Sequence, residues 1–186
     1  MKKLINYTMK IHIETERLII RDLEEFDVDG MFALDSDPDV HKFLGNNPIS
    51  KKEQAEAVIA NIRQQYLDNG IGRWAVIDKQ TNDFIGWTGL KYEEGLRKEF
   101  NYYDLGYRFR KEYWGKGIAT ETALASLKYG FETMNLKEIG AAADIDHIAS
   151  NKVLQRVGLK LIETFEYDNT PHNWYNLTKE EWLRLK

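Results

Sequence analysis

The sequence predicts a single α/β domain, residues 1–186, built on a mixed sheet, and three observations carry that expectation. Strand-like runs rich in β-branched and aromatic residues alternate with helical apolar stripes, in the order β-α-α-β-β-β-α-β-α-β-β. At 186 residues the chain is about one domain long and buries roughly 70% of its unfolded surface. No Gly/Ser/Pro-rich linker, repeat or low-complexity segment divides it, and its three prolines stand apart at 38, 48 and 171.

A first strand is expected at Leu18–Arg21. Asp or Glu then occupy 22, 24, 25, 27, 29, 35, 37 and 39 with no Lys or Arg among them, while Phe26, Met31, Phe32 and Leu34 mark helical turns. Ser50-Lys51-Lys52-Glu53 has the form of a capping box, in which the Ser hydroxyl and the Glu carboxylate satisfy orphan amides. The helix it opens carries the stripe Ala55, Val58, Ile59, Ile62 and Tyr66, and Gly70 can close it. Strands follow at 73–78, 84–92 and 103–109, the last two joined by a loop over 93–101. Gly115 and Gly117 turn the chain into a helix reaching about Thr133, with Ala123, Leu124, Leu127 and Phe131 facing inward. A strand at 138–143 leads to a helix that Asp146 can cap and Gly158 can end, packed through Ala149, Val153, Leu154 and Val157. Strands at 159–165 and 174–177 complete the sheet, and Thr178-Lys179-Glu180-Glu181 is a second capping box before Trp182.

Composition excludes several function classes. Lys+Arg 26 against Asp+Glu 30 gives a net charge of −4, against the basic face that broad nucleic-acid binding needs. The absence of Cys rules out disulfides, thiolate catalysis and Cys-ligated zinc. No run approaches the roughly 20 apolar residues of a membrane helix, and Met1–Thr8 lacks a signal-like stretch, so a cytoplasmic chain is expected. No metal is expected either. The four His, at 12, 41, 147 and 172, show no ligand spacing, and the calcium-loop start at Asp144-Ile145-Asp146 meets Ala149 and Gln155 where Gly and Glu are needed.

The segment from Tyr107 to Thr120 carries most of the functional information. A strand feeds a loop with glycines at 115 and 117 that opens directly into a helix. Glycines let a ligand approach the backbone, and free amides at a helix N-terminus bind phosphate. The pattern reads as an oxyanion or pyrophosphate cradle with Arg110, Lys111 and Lys116 adding charge, or as an ordinary strand-to-helix turn. Two common phosphate loops do not fit: Lys116 is followed by Gly117 rather than Ser or Thr, and position 120, where a dinucleotide loop needs its third Gly, is Thr.

Trp114-Gly115-Lys116-Gly117-Ile118-Ala119 resembles the acetyl-CoA pyrophosphate loop of the GCN5-related N-acetyltransferases (GNAT), written Gln/Arg-x-x-Gly-x-Gly/Ala. Trp at its first position resembles the RimJ/RimL-like branch that acetylates ribosomal-protein N-termini. Glu14 to Arg21, Ile85-Gly86 to Leu90, Asp104-Leu105-Gly106-Tyr107, Ser150 to Gly158, and Trp174 to Trp182 are similar to further segments of that branch, in order, over residues 12–182. The resemblance implies a GNAT fold, with a mixed, mostly antiparallel sheet of about seven strands flanked by helices. It also implies acetyl-CoA as co-substrate, held by Trp114, Gly115, Lys116, Gly117, Ile118, Ala119 and Thr120 with Arg110, and reached by His147 where the branch has Asn. The amides near Tyr107 and Phe109 become donors to the pantetheine arm and the thioester carbonyl.

Acetyl transfer to an amine needs a neutral amine, an oxyanion donor and a proton source for the leaving thiolate. A Lys-type amine has a pKa near ~10.4, so a base must take its proton at neutral pH. By resemblance Asp104 is that base, against the alternative of a solvated strand-end carboxylate. Ser150 binds the pantetheine arm or protonates the sulfur, against the alternative of a first-turn hydroxyl bonding its own backbone. Leu154 stands where many relatives carry an acidic Tyr, so that route is absent. The carboxylates at 22–39 suggest a cationic acceptor, and Trp74, Trp87 and Tyr92 are candidates to line its pocket, with a solvated helical face and core packing as the alternatives. The sequence leaves the acceptor open among protein N-termini, polyamines, amino acids and drugs. A non-catalytic acyl-CoA-binding module is the rival to the enzyme.

Overall fold

The computed structural model describes residues 9–185. Met1–Thr8, read above for signal character, lies outside the described residues. The first element is a hairpin, where one opening strand was expected. β1 (Ile11–Glu14) turns into β2 (Leu18–Asp22) because the Thr15 hydroxyl accepts the Leu18 amide at 3.0 Å and the Thr15 amide returns to the Leu18 carbonyl at 3.0 Å. The sheet therefore has eight strands, in the order β1-β2-β3-β4-β5-β6-β8-β7. The rest are β3 (Trp74–Asp78), β4 (Phe84–Glu93), β5 (Tyr102–Phe109), β6 (Glu138–Asp144), β7 (Lys160–Tyr167) and β8 (Thr170–Thr178).

Among the described strands every pairing is antiparallel except β5 with β6. Those two run parallel and share a single register pair, Asp104 with Gly140. Past that pair the sheet opens along 105–109, and this break positions the site.

One face of β2–β4 is covered by α1 (Val28–Asp35), α2 (Pro38–His41) and α3 (Lys52–Asn69). Leu23, Met31, Leu34, Ile59 and Ile62 pack there onto Ala75, Ile77 and Phe84. The opposite face buries Val76, Leu90, Leu105, Ile139 and Tyr175 under α4 (Ile118–Lys128) and α5 (Ile148–Arg156). The chain closes on α6 (Lys179–Arg184), whose Thr178/Glu181 capping box forms as expected.

Three local expectations are corrected. The α3 start is shifted by one residue: Gln54 Oε1 accepts the Ser50 and Lys51 amides at 2.9 and 3.0 Å, in place of a Ser50/Glu53 box. Leu124 is 40% exposed, because the inner face of α4 runs through Ile118, Thr122, Ala123, Ser126 and Leu127. Thr122 and Ser126 tolerate that burial by donating their hydroxyls to Ile118 and Thr122 carbonyls at 2.9 and 2.8 Å. The cap position of α5 is His147, not Asp146, and Ala149 faces solvent.

Candidate active site

The loop after β5 is built from bonds that hold its backbone open. Arg110 donates its amide to Ile85 of β4 at 2.9 Å. Backbone polarity alternates along a strand, so the amides of residues 106 and 108 also face β4, while those of Leu105, Tyr107 and Phe109 face the gap toward β6. After a 3₁₀ turn at Lys111–Tyr113, the Trp114 indole N–H donates to the Phe109 carbonyl at 2.8 Å. Gly115 and Gly117 then adopt φ of +72° and +75°, values that L side chains reach only with strain. The first backbone bond of α4 runs from Glu121 to Gly117 at 3.0 Å, which leaves the Ile118, Ala119 and Thr120 amides without an intrahelical acceptor. A Cβ on Gly115 would meet nothing within 4 Å, so the concavity has room for a ligand.

These two rows of donors share one cleft of about 860 Å³. It is lined by 104–109 on β5, by 142–144 and 146–150 from β6 into α5, by the glycine loop, by Trp87, and by residues 39, 40 and 42–44. Tyr107, Phe109, Trp114, Gly115, Gly117, Ile118, Ala119, Thr120, His147 and Ser150 all line it. Arg110 and Lys116 do not. Arg110 is bound to Glu112 at 2.5 Å and to the Phe84 carbonyl, and the Lys116 ammonium lies 5.1 Å from the Tyr113 ring.

Asp104 is buried rather than solvated, and its carboxylate is ion-paired with Arg73. Burial pushes its pKa above the usual carboxylate range, while the Arg73 guanidinium pulls the other way. On the opposite wall the Tyr107 hydroxyl lies 3.2 Å from both Ser150 Oγ and the Ser150 carbonyl, so Ser150 is held by a side chain as well as by its helix. Burial raises the Tyr107 pKa and keeps that phenol protonated. His147 stacks on Phe43 at 4.5 Å, and burial holds its pKa below the ordinary value, which favours the neutral ring.

Of the three aromatic candidates only Trp87 lines the cleft. Trp74 is fully buried, stacked on His12 at 4.5 Å with Tyr129 edge-on at 4.9 Å, and is a core residue. Tyr92 packs on Tyr103 outside the cleft. The acidic stretch also reads differently in three dimensions. Asp22 meets His12, Glu24 meets Arg63, Asp27 meets Arg21, Asp29 meets Lys52, Asp35 meets Arg108 and Asp39 meets Lys111. Six of the eight carboxylates thus meet a basic side chain, most of them from other elements, which counting charges along the segment misses.

Three residues that matter here were not singled out from the sequence. Arg73 holds Asp104. Arg17, in the β1–β2 turn, donates to the Lys116 carbonyl at 2.9 Å and pairs with Glu121 at 2.7 Å, bracing the loop against α4. Asn151 is buried; it donates to the Asp144 and His147 carbonyls at 2.8 and 2.9 Å and accepts from Tyr175 and Asn173 at 2.7 and 2.8 Å. It pins the first turn of α5, and hence Ser150, to β6 and β8. An Asn inside a helix is a poor helix former, which is the one sequence signal that it is held for its side chain.

The comparisons with known proteins agree with this geometry. Residues 17–160 match the family model of the acetyltransferase (GNAT) domain. The uncharacterized N-acetyltransferase YoaA of Bacillus subtilis is 30% identical over 173 residues, covering 90% of this chain and 96% of its own. The uncharacterized N-acetyltransferase p20 of Bacillus licheniformis is 31% identical, over 78% of this chain and 80% of its own. Among solved structures, a GNAT-family acetyltransferase from Bacillus anthracis superposes with a TM-score of 0.76 at 26% identity, over 90% of this chain and 98% of that one. The ribosomal-protein-S5-alanine acetyltransferase of Vibrio fischeri shares the fold, with a TM-score of 0.74 at 20% identity over 93% of this chain and 99% of that one. With a glycine loop at a free helix start, a split between two parallel strands and a family model spanning most of the sequence, this chain belongs to the GNAT acetyltransferases, enzymes that acetylate amines with acetyl-CoA.

Proposed function

We propose that the protein acetylates a primary amine by direct transfer within a ternary complex. The observation that supports this most is the break between β5 and β6, which puts one open row of amides and the free start of α4 on the same cleft as Asp104 and Ser150. Without Cys, no acyl-cysteine can form on the enzyme. Acetyl-CoA supplies the activated acyl group. The Ile118–Thr120 amides suit its pyrophosphate, and those of Tyr107 and Phe109 suit the pantetheine arm and the oxyanion that develops on the carbonyl. Asp104 takes the ammonium proton of the acceptor, directly or through one water. Ser150, held by Tyr107, gives a proton to the departing sulfur and regains one from the second proton that the amine nitrogen sheds as the amide forms.

Ser150→Ala tests this reading. Loss of one hydroxyl near a helix start costs on the order of ~1 kcal/mol, so the variant should remain folded. Thiol release at saturating acetyl-CoA is expected to fall by about tenfold or more, within the range typical of a lost proton donor. Unaltered turnover in the folded variant removes Ser150 from the mechanism. No thiol release from a broad panel of amines sinks the transfer reading.

Arg17→Ala is expected to weaken acetyl-CoA binding several-fold, because Glu121 in the first turn of α4 is left as an unpaired anion beside the phosphate loop. Adding Glu121→Gln should recover most of that affinity. A double variant as weak as the single one assigns Arg17 no electrostatic part.

A further inference from the structure

The acceptor end of the cleft is charged in a way the sequence did not suggest. Asp104, Gly106 and Arg108 lie on one face of β5, and Trp87 of β4 is the register partner of Arg108. Gly106 has no side chain, and the Arg73 guanidinium occupies the space its Cβ would need. Arg73 is fully committed: it donates to the Gly89 and Asp104 carbonyls at 2.5 and 2.6 Å and to the Asp104 carboxylate. Arg108 is not. Its Nη1 donates to Asp35 at 2.7 Å, its Nε is buried without an acceptor, and its side chain stays 21% exposed in the cleft wall. Both guanidinium groups sit beside the Trp87 ring, at 5.3 and 5.0 Å from its centroid.

Of the carboxylates lining the cleft, Asp39 and Asp104 are ion-paired, while Asp144 accepts the Asp146 amide at the start of α5. Asp104 faces Arg73, Asp39 faces Lys111, and Asp35 is shared by Arg108 and by His41 at 3.6 Å. A polyamine would bring additional cations beside Lys42, Arg73 and Arg108 of the cleft wall. A carboxylate there would gain charge-assisted bonds from the part of the Arg108 guanidinium that stays exposed and is not used by Asp35.

Building on the transfer reading above, we infer that the acceptor is an amine that also carries a carboxylate, an amino-acid-type molecule, and that Arg108 binds this carboxylate. Arg73, which holds Asp104, and Arg108 both lie beside the same Trp87 ring, so the Asp104 and Arg108 side chains converge on one patch of wall within reach of a small acceptor. Arg108 is thereby the residue that sets acceptor charge, and Trp87 offers the flat apolar surface between.

The test compares the twenty standard L-amino acids with their primary amides and with spermidine, by thiol release from acetyl-CoA. In the wild-type enzyme at least one acid is expected to exceed its own amide in kcat/KM by about tenfold or more. In Arg108→Gln that preference should shrink to within about twofold through a rise in acceptor KM, with the KM for acetyl-CoA unmoved. Arg108→Lys, which keeps a cation for Asp35 but lacks the planar fork, should retain part of the preference and guards against a Gln variant that fails to fold. Amides as good as acids, a preference for spermidine, or a preference that survives both substitutions overturns the inference while acetyl transfer stands. A rise confined to the KM for acetyl-CoA reassigns Arg108 to the co-substrate and overturns it too. Silence from every amine, amides and spermidine included, counts against acetyl transfer itself and takes the inference with it.

Discussion

Asp104→Asn is expected to lower kcat for acetyl transfer by about 10²–10⁴-fold while acetyl-CoA affinity stays within about twofold. The carboxylate stands on the cleft wall, ion-paired with Arg73. Burial raises its pKa, so the group gains basicity that a solvated aspartate lacks. As a base it must be ionised. Wild-type kcat/KM should therefore fall as pH drops through that raised pKa, on an acid limb lying above the ordinary carboxylate range. In the Asn variant the carboxylate limb should vanish, so the loss should be greatest above that pKa, where the wild-type carboxylate is ionised, and should shrink below it. The variant also leaves Arg73 buried without its anion, which is destabilising. Asp104→Glu separates the two effects, because it keeps the charge and should recover a substantial part of the rate. An Asn variant that is folded, binds acetyl-CoA normally and turns over within about twofold of wild type removes Asp104 from the mechanism.

The contrast between what was legible in the sequence and what was not follows from the range of each interaction. The glycine loop was legible because its chemistry is local: positive φ at two glycines and the unpaired amides of the next turn all lie within residues 115–120. The element order was legible for the same reason, since periodicity and capping are properties of short windows. The β1–β2 hairpin was missed because a single Thr15–Leu18 pair, three residues apart, makes its turn without Gly or Pro.

Electrostatics was the least legible part. Arg21 borders the acidic segment, yet the partners of Glu24, Asp35 and Asp39 come from positions 63, 108 and 111. A segment that reads as an anionic wall is, in the fold, largely paired charges, and the exposed donor beside Trp87 is the Arg108 guanidinium. Trp74 failed as a pocket residue for a related reason. Its strand lies between two others in the sheet, and its side chain falls on the face that α4 and α5 cover, where it packs on His12 and Tyr129.

Gly117→Val is expected to raise the Kd for acetyl-CoA by about tenfold or more, and two causes act together. At φ of +75° a β-branched residue is strained by about 1–3 kcal/mol, which the loop relieves by changing its backbone. The added side chain also stands at the start of α4, where the ligand must approach the Ile118–Thr120 amides. Among the described residues, chain neighbours aside, the new Cβ would meet Arg17 Nη2 at 3.7 Å, an ordinary contact. The substitution should therefore disturb the site far more than the core, and thermal denaturation should show a modest loss of stability beside the large loss of affinity. Gly115→Ala is a useful companion: its Cβ meets nothing within 4 Å, and φ there is +72°, so it carries backbone strain with little bulk. If strain alone matters, the two variants should weaken binding alike; if blockage matters, Gly117→Val should be clearly worse. Calorimetry that finds acetyl-CoA affinity unchanged in Gly117→Val would show that the pyrophosphate does not rest on this loop.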